Sequence, residues 1–582
     1  MKQLWADLAP FLRIMAGHGG WLALGTFLGF LAVAASSGLL GLAGWFIIAA
    51  ALAGLNPETA HLFNFFLPSV GVRFLAMART AARYGERLFA HDAVFRLLQT
   101  LRLWFYRGVE PLAPACFTVY RRGDLLGRII ADIDLLDNLY LRMIAPGLIV
   151  VLLAALTGGV LGWFHGGIGA LAGGALLVSA LLLVLLAGKG GATLGRGLNT
   201  AVTELRNDLV EGLQGLAEVL IYQGARPFEA AIARRQAQML ALQAGLNRFN
   251  ALALALATLA GGLTVTGVLY LGVALVGEGG LSGAVLGLMV LATLAAFEAV
   301  MPLPGAFRQL GQTRAAARRL LEITGQPPTV AFPRNKDNHA VAGDLEFRDV
   351  AFRYGSDEPW ILEDVDFTIP QGTHLALFGP TGAGKSTLLN LLARFFDPAR
   401  GAIFLGGRDL RELGEAQLRR SMAFVPQQPH FFNATLKANL TLACPAAGDD
   451  ILWEALAQVL MADFVAGLPR GLDTWIGEGG QLISGGQARR LALVRAMLRD
   501  APVWIADEPT EGLDPVTEVA VLEVLHQLTR NKTLIMVTHR PAGLAGMDRV
   551  LWLERGRIVA DDTPARLREG FPPFTALFKR LD

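Results

Sequence analysis

Charged residues and cysteines are scarce in this sequence. Asp, Glu, Lys and Arg make up 17% of the 582 residues and hydrophobic residues 53%, which excludes a single soluble globular domain. A net charge of +2 without a basic stripe argues against nucleic acid as the main partner. Neither of the two cysteines, Cys116 and Cys444, belongs to a CxxC or metal-ligand spacing, so we expect both to be small packed hydrophobic side chains.

Long apolar runs are confined to residues 1 to about 320. A helix needs about 20 apolar residues to cross roughly 30 Å of hydrocarbon. The predicted spans are Trp21–Leu52, Leu62–Ala82, Met143–Phe164, Ile168–Ala187, Phe249–Val276 and Leu281–Met301. The second span is the weakest because Arg73 and Arg79 lie within it. We therefore predict a membrane α-helical domain with six transmembrane helices over residues 1–325.

The connections between these spans differ in charge. The short connections Leu55–Ala60, His165–Gly167 and Gly277–Gly280 contain no Lys or Arg, whereas the long connections carry several arginines. Because excess positive charge marks the cytoplasmic side, the pattern places both termini and the long connections in the cytoplasm. The long connections are too periodic for linkers and predict helical extensions that leave the membrane and return. The amphipathic start, Lys2–His18, shows no cleavable signal peptide.

The remaining residues predict a second domain of different class. The proline-rich segment Gln326–Asn338 indicates a linker over 326–342, followed by an α/β domain over 343–582. Helical patterns separate most of its strand-like runs, which favours a largely parallel sheet with its ligand site beyond the carboxyl ends of the strands. The predicted strands are Leu345–Tyr354, His374–Phe378, Met422–Pro426, Val503–Ala506, Thr533–Thr538 and Val550–Leu553.

The stretch Gly379–Thr387 has the composition of a phosphate-binding loop, and it lies between a strand-like run and a helical pattern. Glycines let backbone N–H groups face a phosphate, and the helix N-terminus adds positive potential. Lys385 can reach the β- and γ-phosphates, and the Ser386 hydroxyl can ligate Mg²⁺. The predicted contacts to the nucleoside triphosphate are Gly379, Thr381, Gly382, Gly384, Lys385, Ser386 and Thr387.

Polar residues follow three other predicted strands. Asp507 and Glu508 follow Val503–Ala506, where one carboxylate can hold the Mg²⁺ shell and the other can orient or deprotonate water. His539 is placed to contact a γ-phosphate, and Gln427 to bridge Mg²⁺ or water. An acidic pair after a strand is also a common turn, and an isolated histidine is more often structural. The phosphate-binding loop is what favours the catalytic interpretation.

The stretch Ile483–Gln487 predicts a second anion cradle, because Ser484 and two glycines precede the helical run Ala488–Arg499. A domain with one phosphate-binding loop has no second phosphate for this cradle. We therefore expect two such domains to face each other, each cradle closing over the other's ATP.

Together these motifs resemble a half-size ATP-binding cassette (ABC) exporter over the whole chain. The resemblance implies that ATP and Mg²⁺ are the cofactors and that Glu508, His539 and Gln427 act in hydrolysis. It further implies that Tyr354 stacks on adenine and that Asp514 is the D-loop aspartate, although Glu511-Gly512-Leu513-Asp514 departs from the usual S-A-L-D. The implied Mg²⁺ ligands are Ser386, Gln427 and Asp507, and the implied contacts to a partner's ATP are Ser484, Gly485, Gly486 and Gln487.

Several local strings resemble the CydC family, whose members pair with CydD. These strings are Ser37–Leu40, Gly44–Phe46, Arg83–Leu88 with His91 and Asp92, Ala296–Ala299, Gly305–Phe307 and Asp507–Asp514. The resemblance implies a CydD-like second subunit in a bacterial inner membrane. It also implies a role in cytochrome bd assembly through transport of haem, cysteine or glutathione.

One stripe of charged residues suggests where a substrate would bind. Arg79, Arg83, Arg87 and His91 recur every four residues and therefore share one helix face. Charge near a span usually faces a cavity, although snorkelling and interhelical contacts are the alternative. Given the resemblance, His91 would ligate haem iron and the arginines would pair with carboxylates of haem or glutathione. The further candidates are Tyr84 and Glu298, the latter facing the cavity or capping a helical arm.

Two other functions remain open at this point. One is a homodimeric lipid or drug flippase. The other is a haem-sensing ATPase that does not itself translocate a substrate.

Overall fold

The computed structural model describes residues 2–55, 57–113, 122–186, 192–333, 337–480, 482–544 and 546–578. Its contacts divide the chain into two compact units, Met1–Glu110 with Val119–Gln326, and Pro111–Thr118 with Pro327–Asp582. Cys116, Ala187 and the first part of the connection around Pro114–Arg128 fall outside the described residues. We call the first unit the membrane unit and the second the nucleotide unit.

Helices make up the membrane unit. Their bounds are α1 Lys2–Ala16, α2 Gly19–Ala53, α3 Pro57–Leu62, α4 Phe66–Val109, α5 Arg122–Gly127, α6 Ile133–Asn138, α7 Ala145–Phe164, α8 Gly166–Leu186, α9 Ala192–Gln214, α10 Leu216–Ile221, α11 Ala225–Gly277, α12 Gly283–Ala296 and α13 Leu303–Thr324. Two π-helical stretches, Arg128–Asp132 and Leu139–Ile144, join α5, α6 and α7. The amphipathic start forms α1, which buries Leu8, Phe11 and Met15.

Within the described residues, five helices are long and apolar enough to cross a membrane. They are Gly19–Ala53, Leu125–Phe164, Gly166–Leu186, Ala225–Gly277 and Gly283–Gly305. The predicted span Leu62–Ala82 falls outside this set, because α3 ends at Leu62 and α4 carries Arg73 and Arg79. α4 nevertheless packs along α2.

The long connections are helical over most of their described residues. α4 has 44 residues and α11 has 53 residues, each far longer than the roughly 20 residues that cross hydrocarbon. The connection around Glu211–Glu229 is helical in α9, α10 and the start of α11. The membrane unit therefore consists of apolar spans that continue into more polar helices.

Close contact between α7 and α8 depends on glycine. A Cβ added to Gly169 would lie 2.4 Å from the carbonyl oxygen of Gly158, and one added to Gly173 would lie 2.8 Å from that of Ala154. Small residues at such crossings let two helix backbones approach each other, which is the usual basis of packing in a membrane. The α7–α8 pair can therefore pack closely without large interdigitating side chains.

A buried ion pair joins the π-helical stretch Arg128–Asp132 to α13. Arg319 Nε donates to Asp132 Oδ2 at 2.8 Å, and only 9% of the Asp132 side chain is exposed. Arg128 Nη1 donates to the carbonyl oxygen of Arg319 at 2.9 Å. A carboxylate this buried needs its partner, because an unpaired buried charge is costly.

Two sheets form the nucleotide unit. A six-stranded sheet has the order β10-β9-β3-β8-β7-β6, parallel except for the β9–β10 pair, and a four-stranded antiparallel sheet has the order β2-β1-β4-β5. The strands are β1 Leu345–Phe352, β2 Leu362–Ile369, β3 His374–Phe378, β4 Arg400–Leu405, β5 Arg408–Asp409, β6 Met422–Val425, β7 Val503–Asp507, β8 Thr533–Val537, β9 Arg549–Glu554 and β10 Arg557–Asp562. The helices are α14 Lys385–Leu392, α15 Glu415–Ser421, α16 Leu436–Thr441, α17 Asp449–Gln458, α18 Ala462–Ala466, α19 Gly485–Arg499, α20 Pro515–Leu528, α21 Pro564–Gly570 and α22 Pro572–Phe578.

Each of the six predicted strands is present, and the largely parallel sheet is confirmed. The antiparallel sheet is an addition to the prediction, since β2, β4, β5 and β10 were not anticipated. β2 and β10 carry several acidic residues, which are poor strand formers on their own, and β4 contains Gly401 and is followed by Gly406. Hydrogen bonds to β1 stabilise β2 and β4, and those to β9 stabilise β10, although the local sequence preference of each for a strand is weak.

The six-stranded sheet separates two hydrophobic cores. Leu375 and Leu377 of β3 join the core that contains the apolar side chains of α14, whereas Ala376 and Phe378 join the core that contains those of α19. Successive side chains of a strand point to opposite faces of its sheet. α14 and α19 therefore pack on opposite faces of the same sheet.

We predict that Arg319→Ala destabilises the protein by about 2 kcal/mol, because Asp132 would stay buried without its partner. Thermal unfolding of the protein in detergent measures the effect. The neighbouring Arg318→Ala is the control, since Arg318 forms an exposed pair with Glu322, and we expect a change of at most about 0.5 kcal/mol. Equal effects of the two substitutions would contradict the structural role of the buried pair.

Candidate nucleotide site

The predicted phosphate-binding loop connects the end of β3 to the start of α14. Gly379 has φ +150°, and a Cβ there would lie 2.0 Å from the carbonyl oxygen of Leu553. Gly384 has φ +104°, and its Cβ would lie 2.8 Å from Leu362 Cδ2. Both positions require glycine, because neighbouring chain segments approach the loop too closely for a side chain. The loop geometry is thus fixed by contacts that lie outside the motif itself.

Lys385 is buried inside the loop that it follows. Its Nζ donates to the carbonyl oxygens of Gly379 at 2.8 Å and Pro380 at 3.0 Å. Burial lowers the pKa of Lys385, and the nearby carboxylates of Glu508 and Asp507 oppose that shift. The ammonium group is therefore oriented within the loop and lies in the field of the acidic residues at the end of β7.

Tyr354 lies next to the first turn of α14. Its hydroxyl is 3.1 Å from Thr387 Oγ1, and its ring makes edge contacts with Phe352 and Phe396 at centroid distances of 5.0 and 5.2 Å. The side chain is nevertheless 43% exposed. Edge contacts that fix the ring while part of it stays accessible suit stacking on a flat base.

Glu508 is held by two polar side chains from other segments. His539 Nε2 lies 3.0 Å from Glu508 Oε1, and Gln427 Nε2 donates to Glu508 Oε2 at 3.1 Å. The backbone N–H of Glu508 donates to the carbonyl oxygen of Val537 at 3.0 Å, with φ +49° at Glu508. A non-glycine residue in this conformation is strained by about 1–3 kcal/mol and persists where surrounding contacts define it. These contacts gather Glu508, His539 and Gln427 at the carboxyl ends of the strands.

Asp507 ends β7 beside this cluster. Burial, followed by repulsion from Glu508, raises the pKa of Asp507 to about 6, and Lys385 opposes the rise. The Asp507 carboxylate, the Ser386 hydroxyl and the Gln427 amide oxygen are the hard oxygen donors that Mg²⁺ prefers, so the residues fit the expected cation. Mg²⁺ held by these residues would supply positive charge that neutralises the phosphates of ATP.

Ser484 begins α19. Its Oγ accepts from the Gln487 N–H at 3.3 Å, and Gln487 Oε1 accepts from the Ser484 N–H at 2.8 Å, which forms a capping box. Gly485 and Gly486 are the first two residues of the helix, where N–H groups have no acceptor in a preceding turn. The predicted second cradle is therefore a helix start that can accept an anion. The side chain of Gln487 stabilises this helix start through its hydrogen bond with Ser484.

Asp514 occupies the corresponding position at α20. Its Oδ1 accepts from the backbone N–H of Thr517 at 3.0 Å, so this aspartate is the N-cap of the helix. Pro515 follows at the first helical position, where a missing N–H is tolerated. The predicted D-loop residue therefore fixes the start of α20.

One buried network was not anticipated from the sequence. Glu518 accepts from Thr510 Oγ1 at 3.0 Å and from Arg540 Nη1 at 2.6 Å, and Arg540 Nη1 also donates to the carbonyl oxygen of Leu513 at 3.2 Å. The network ties the loop after β7 to the residue that follows His539. The sequence did contain a signal for this network. Glu518 lies on the face of α20 that carries Val521 and Leu525, and a glutamate on an apolar face needs polar partners when it is buried.

The candidate substrate residues of the membrane unit lie on two elements. Arg79, Arg83, Arg87 and His91 are exposed on α4, as is Tyr84, while Glu298 is exposed in the short turn Phe297–Val300. Arg83 Nη1 lies 3.8 Å from Glu86 Oε2. Among the residues that the structure describes, no hydrogen bond or ion pair joins Glu298 to the α4 stripe.

Comparison with known proteins agrees with both units. The family description "ABC transporter transmembrane region" matches residues 26–298, and "ABC transporter" matches residues 362–511. The chain is 40% identical over 562 residues to the glutathione/L-cysteine transport system ATP-binding/permease protein CydC of Escherichia coli (strain K12), which covers 96% of this chain and 97% of that protein. This chain belongs to the ABC transporter family.

Further ABC transporters match over nearly the full length. The CydC protein of Haemophilus influenzae is 35% identical, covering 95% of this chain and 96% of that protein. The solved structure of a bacterial Atm1-family ABC exporter with ATP bound matches with a TM-score of 0.81 at 21% identity, covering 98% of this chain and 99% of that chain. The chain is thus an ABC exporter half-transporter with one membrane domain and one ATP-binding domain, in which ATP hydrolysis is coupled to transport.

We predict that Gly379→Ala weakens ATP binding by more than about tenfold, because the added Cβ overlaps the Leu553 carbonyl and displaces the loop. Equilibrium binding of a fluorescent ATP analogue measures this change. Gly448→Ala is the matched control, since Gly448 precedes α17 with φ −74° and a Cβ there meets nothing within 4 Å. Unaltered binding in Gly379→Ala would show that the loop does not need its observed backbone.

Proposed function

We propose that this chain is the CydC-like half of a heterodimeric ATP-driven exporter in a bacterial inner membrane. Its nucleotide unit and both termini lie in the cytoplasm, as the loop charges indicate. Its partner is a CydD-like half-transporter, and the pair supports cytochrome bd assembly by moving haem, cysteine or glutathione across the membrane.

The observation that carries this proposal is the placement of the two cradles. The phosphate-binding loop leads into α14, and Ser484 begins α19, yet these helices pack on opposite faces of the six-stranded sheet. A single ATP molecule therefore cannot be enclosed by both cradles of one chain. A second, facing nucleotide unit supplies the missing half of each site.

Within the chain's own site, each residue receives a role. Gly379, Thr381, Gly382, Gly384 and Thr387 surround the phosphates, Lys385 neutralises them, and Tyr354 stacks on the base. Glu508 is the general base that deprotonates the attacking water, and its carboxylate is oriented by Gln427 and His539. His539 and Lys385 stabilise the charge that develops on the γ-phosphate.

Similarity to the CydC proteins supports the choice of partner and substrate. A CydD protein of the same named glutathione/L-cysteine transport system, from Bacillus subtilis, is 30% identical and covers 93% of this chain and 93% of that protein. In the membrane unit, the exposed arginines of α4 suit a substrate that carries carboxylates, as glutathione and haem both do. The imidazole of His91 lies on the same stripe and provides a ligand for haem iron.

We predict that Glu508→Gln abolishes ATP turnover while ATP binding persists, because glutamine keeps the shape of the side chain but cannot take a proton. The measurement is steady-state ATPase activity of the purified transporter, with analogue binding determined in parallel. Glu523→Gln, a glutamate of α20 with no proposed role at the site, is the control. Wild-type turnover in Glu508→Gln would refute the assignment of the general base.

We predict that the chain copurifies with a distinct half-transporter when the two are expressed together. The isolated chain should hydrolyse ATP slowly, because its phosphate-binding loop lacks a facing Ser484-type cradle. Mass determination of the purified complex measures the first expectation, and ATPase rates with and without the second subunit measure the other. A stable homodimer at full activity would favour the flippase alternative.

We predict that Arg83→Ala with Arg87→Ala reduces ATP-dependent uptake of glutathione or haem into inverted vesicles by about tenfold or more. Arg96→Ala is the control on the same helix, because Arg96 pairs with Asp92 and contacts the Trp21 ring.

Absorbance spectra of wild type and His91→Ala test haem ligation separately. Haem-stimulated ATPase activity without accumulation in vesicles would favour the sensor over the exporter.

A further inference from the structure

A second carboxylate, that of Glu511, lies beside Glu508 where the sequence departs from the usual S-A-L-D of the D-loop. Glu511 Oε2 accepts a hydrogen bond from Gln427 Nε2 at 3.0 Å. The same Gln427 nitrogen donates to Glu508 Oε2 at 3.1 Å. One side-chain amide therefore bridges two carboxylates of the loop after β7.

This bridge fixes which way the Gln427 amide faces. Ionised carboxylates accept hydrogen bonds and cannot donate them, so the NH₂ group of Gln427 must point at Glu508 and Glu511. The reversed amide would place Oε1 against two negatively charged oxygens. Gln427 Oε1 consequently faces away from both carboxylates, which leaves it available as a ligand.

Glu511 is in turn held by the helix that begins at Ser484. Arg489 Nη2 of α19 lies 3.7 Å from Glu511 Oε2, and only 15% of the Arg489 side chain is exposed, compared with 51% of Glu511. α19 also contacts the segment after Gln427, because Arg495 Nη1 donates to the carbonyl oxygen of His430 at 2.7 Å. Glu511 thus connects α19 to the side chain of Gln427.

We propose that Glu511 is a positioning residue that, together with Glu508, presents the amide oxygen of Gln427 to the Mg²⁺ of bound ATP. The inference rests on the roles proposed above for Gln427 and Glu508. A serine at this position has a hydroxyl that can donate as well as accept, so it would not impose one amide orientation on Gln427. Residues that orient a metal ligand affect metal affinity although they do not touch the metal.

The test is a double-mutant cycle in the purified full-length transporter with Glu511→Ser, Gln427→Ala and both together. Two readouts are compared: binding of a fluorescent ATP analogue with and without Mg²⁺, and the kcat and KM of ATP hydrolysis. We expect Glu511→Ser to weaken the Mg²⁺-dependent part of binding by about tenfold and to lower kcat, with Mg²⁺-free binding unchanged. In the Gln427→Ala background, Glu511→Ser should have no further effect, because its action passes through Gln427.

Controls separate this action from a general effect of losing a surface glutamate. Glu415→Ser removes a glutamate that also pairs with an arginine at 3.7 Å, and it should leave both readouts unchanged. Glu511→Asp retains an acceptor and should restore part of the Mg²⁺ dependence. Should Glu511→Ser fold poorly, the nearly isosteric Glu511→Gln is expected to show the same loss.

Two outcomes would overturn the role of Glu511 without affecting the proposed function. One is normal Mg²⁺ dependence of binding in Glu511→Ser, and the other is a loss of binding in the double variant equal to the sum of the losses in Glu511→Ser and Gln427→Ala. Normal Mg²⁺ dependence in Gln427→Ala itself would instead contradict the proposed role of Gln427. The two failures are therefore distinguishable within one set of variants.

Discussion

The central parallel sheet of the nucleotide unit is the constraint on which the rest of this protein depends. Its alternating side chains create one hydrophobic core against α14 and another against α19. Each core holds a helix whose start can bind an anion, and the sheet keeps the two helices on opposite faces. In the proposed function, each chain contributes one part of each of two ATP sites, and a second nucleotide unit completes both sites.

At the carboxyl ends of the strands of that sheet, acidic side chains lie close together, and their mutual repulsion opposes folding. Asp507 ends β7, and Glu508 and Glu511 lie in the loop that follows it. The strained backbone of Glu508 is held by its hydrogen bond to Val537. The raised pKa of Asp507 reflects the cost of burying negative charge beside Glu508. Concentrated negative charge of this kind favours a divalent cation, so the electrostatic cost in the protein is linked to substrate binding.

Charge organises the membrane unit in a different way. Apolar spans pack through glycine contacts such as Gly158 with Gly169, which need no polar groups. Ion pairs of the membrane unit instead join its more polar helices, as between Arg235 of α11 and Glu204 of α9, and between Arg319 and Asp132. Arg79, Arg83 and Arg87 of α4 are exposed, whereas the carboxylate of Asp132 is buried against Arg319.

The sequence alone determined the class of each unit and the chemistry of the nucleotide site. Strand β3 and the residues around Gly379 were predictable because apolar runs, glycines and a lysine carry their own local preferences. The sequence also identified Glu511 as a departure from the usual S-A-L-D of the D-loop, but it gave no partner for that side chain.

Tertiary structure decided what local preference could not. β2 and β10 form by pairing with the strands that precede them, β1 and β9, whereas β4 pairs with β1 across a longer stretch of chain. The conformation of Gly379 is set by the carbonyl of Leu553, which is distant in sequence. The contact between Glu511 and Gln427 likewise joins residues 84 positions apart. Only the folded sheet brings such segments together, because their association depends on long-range packing and hydrogen bonding that the spacing of residues does not encode.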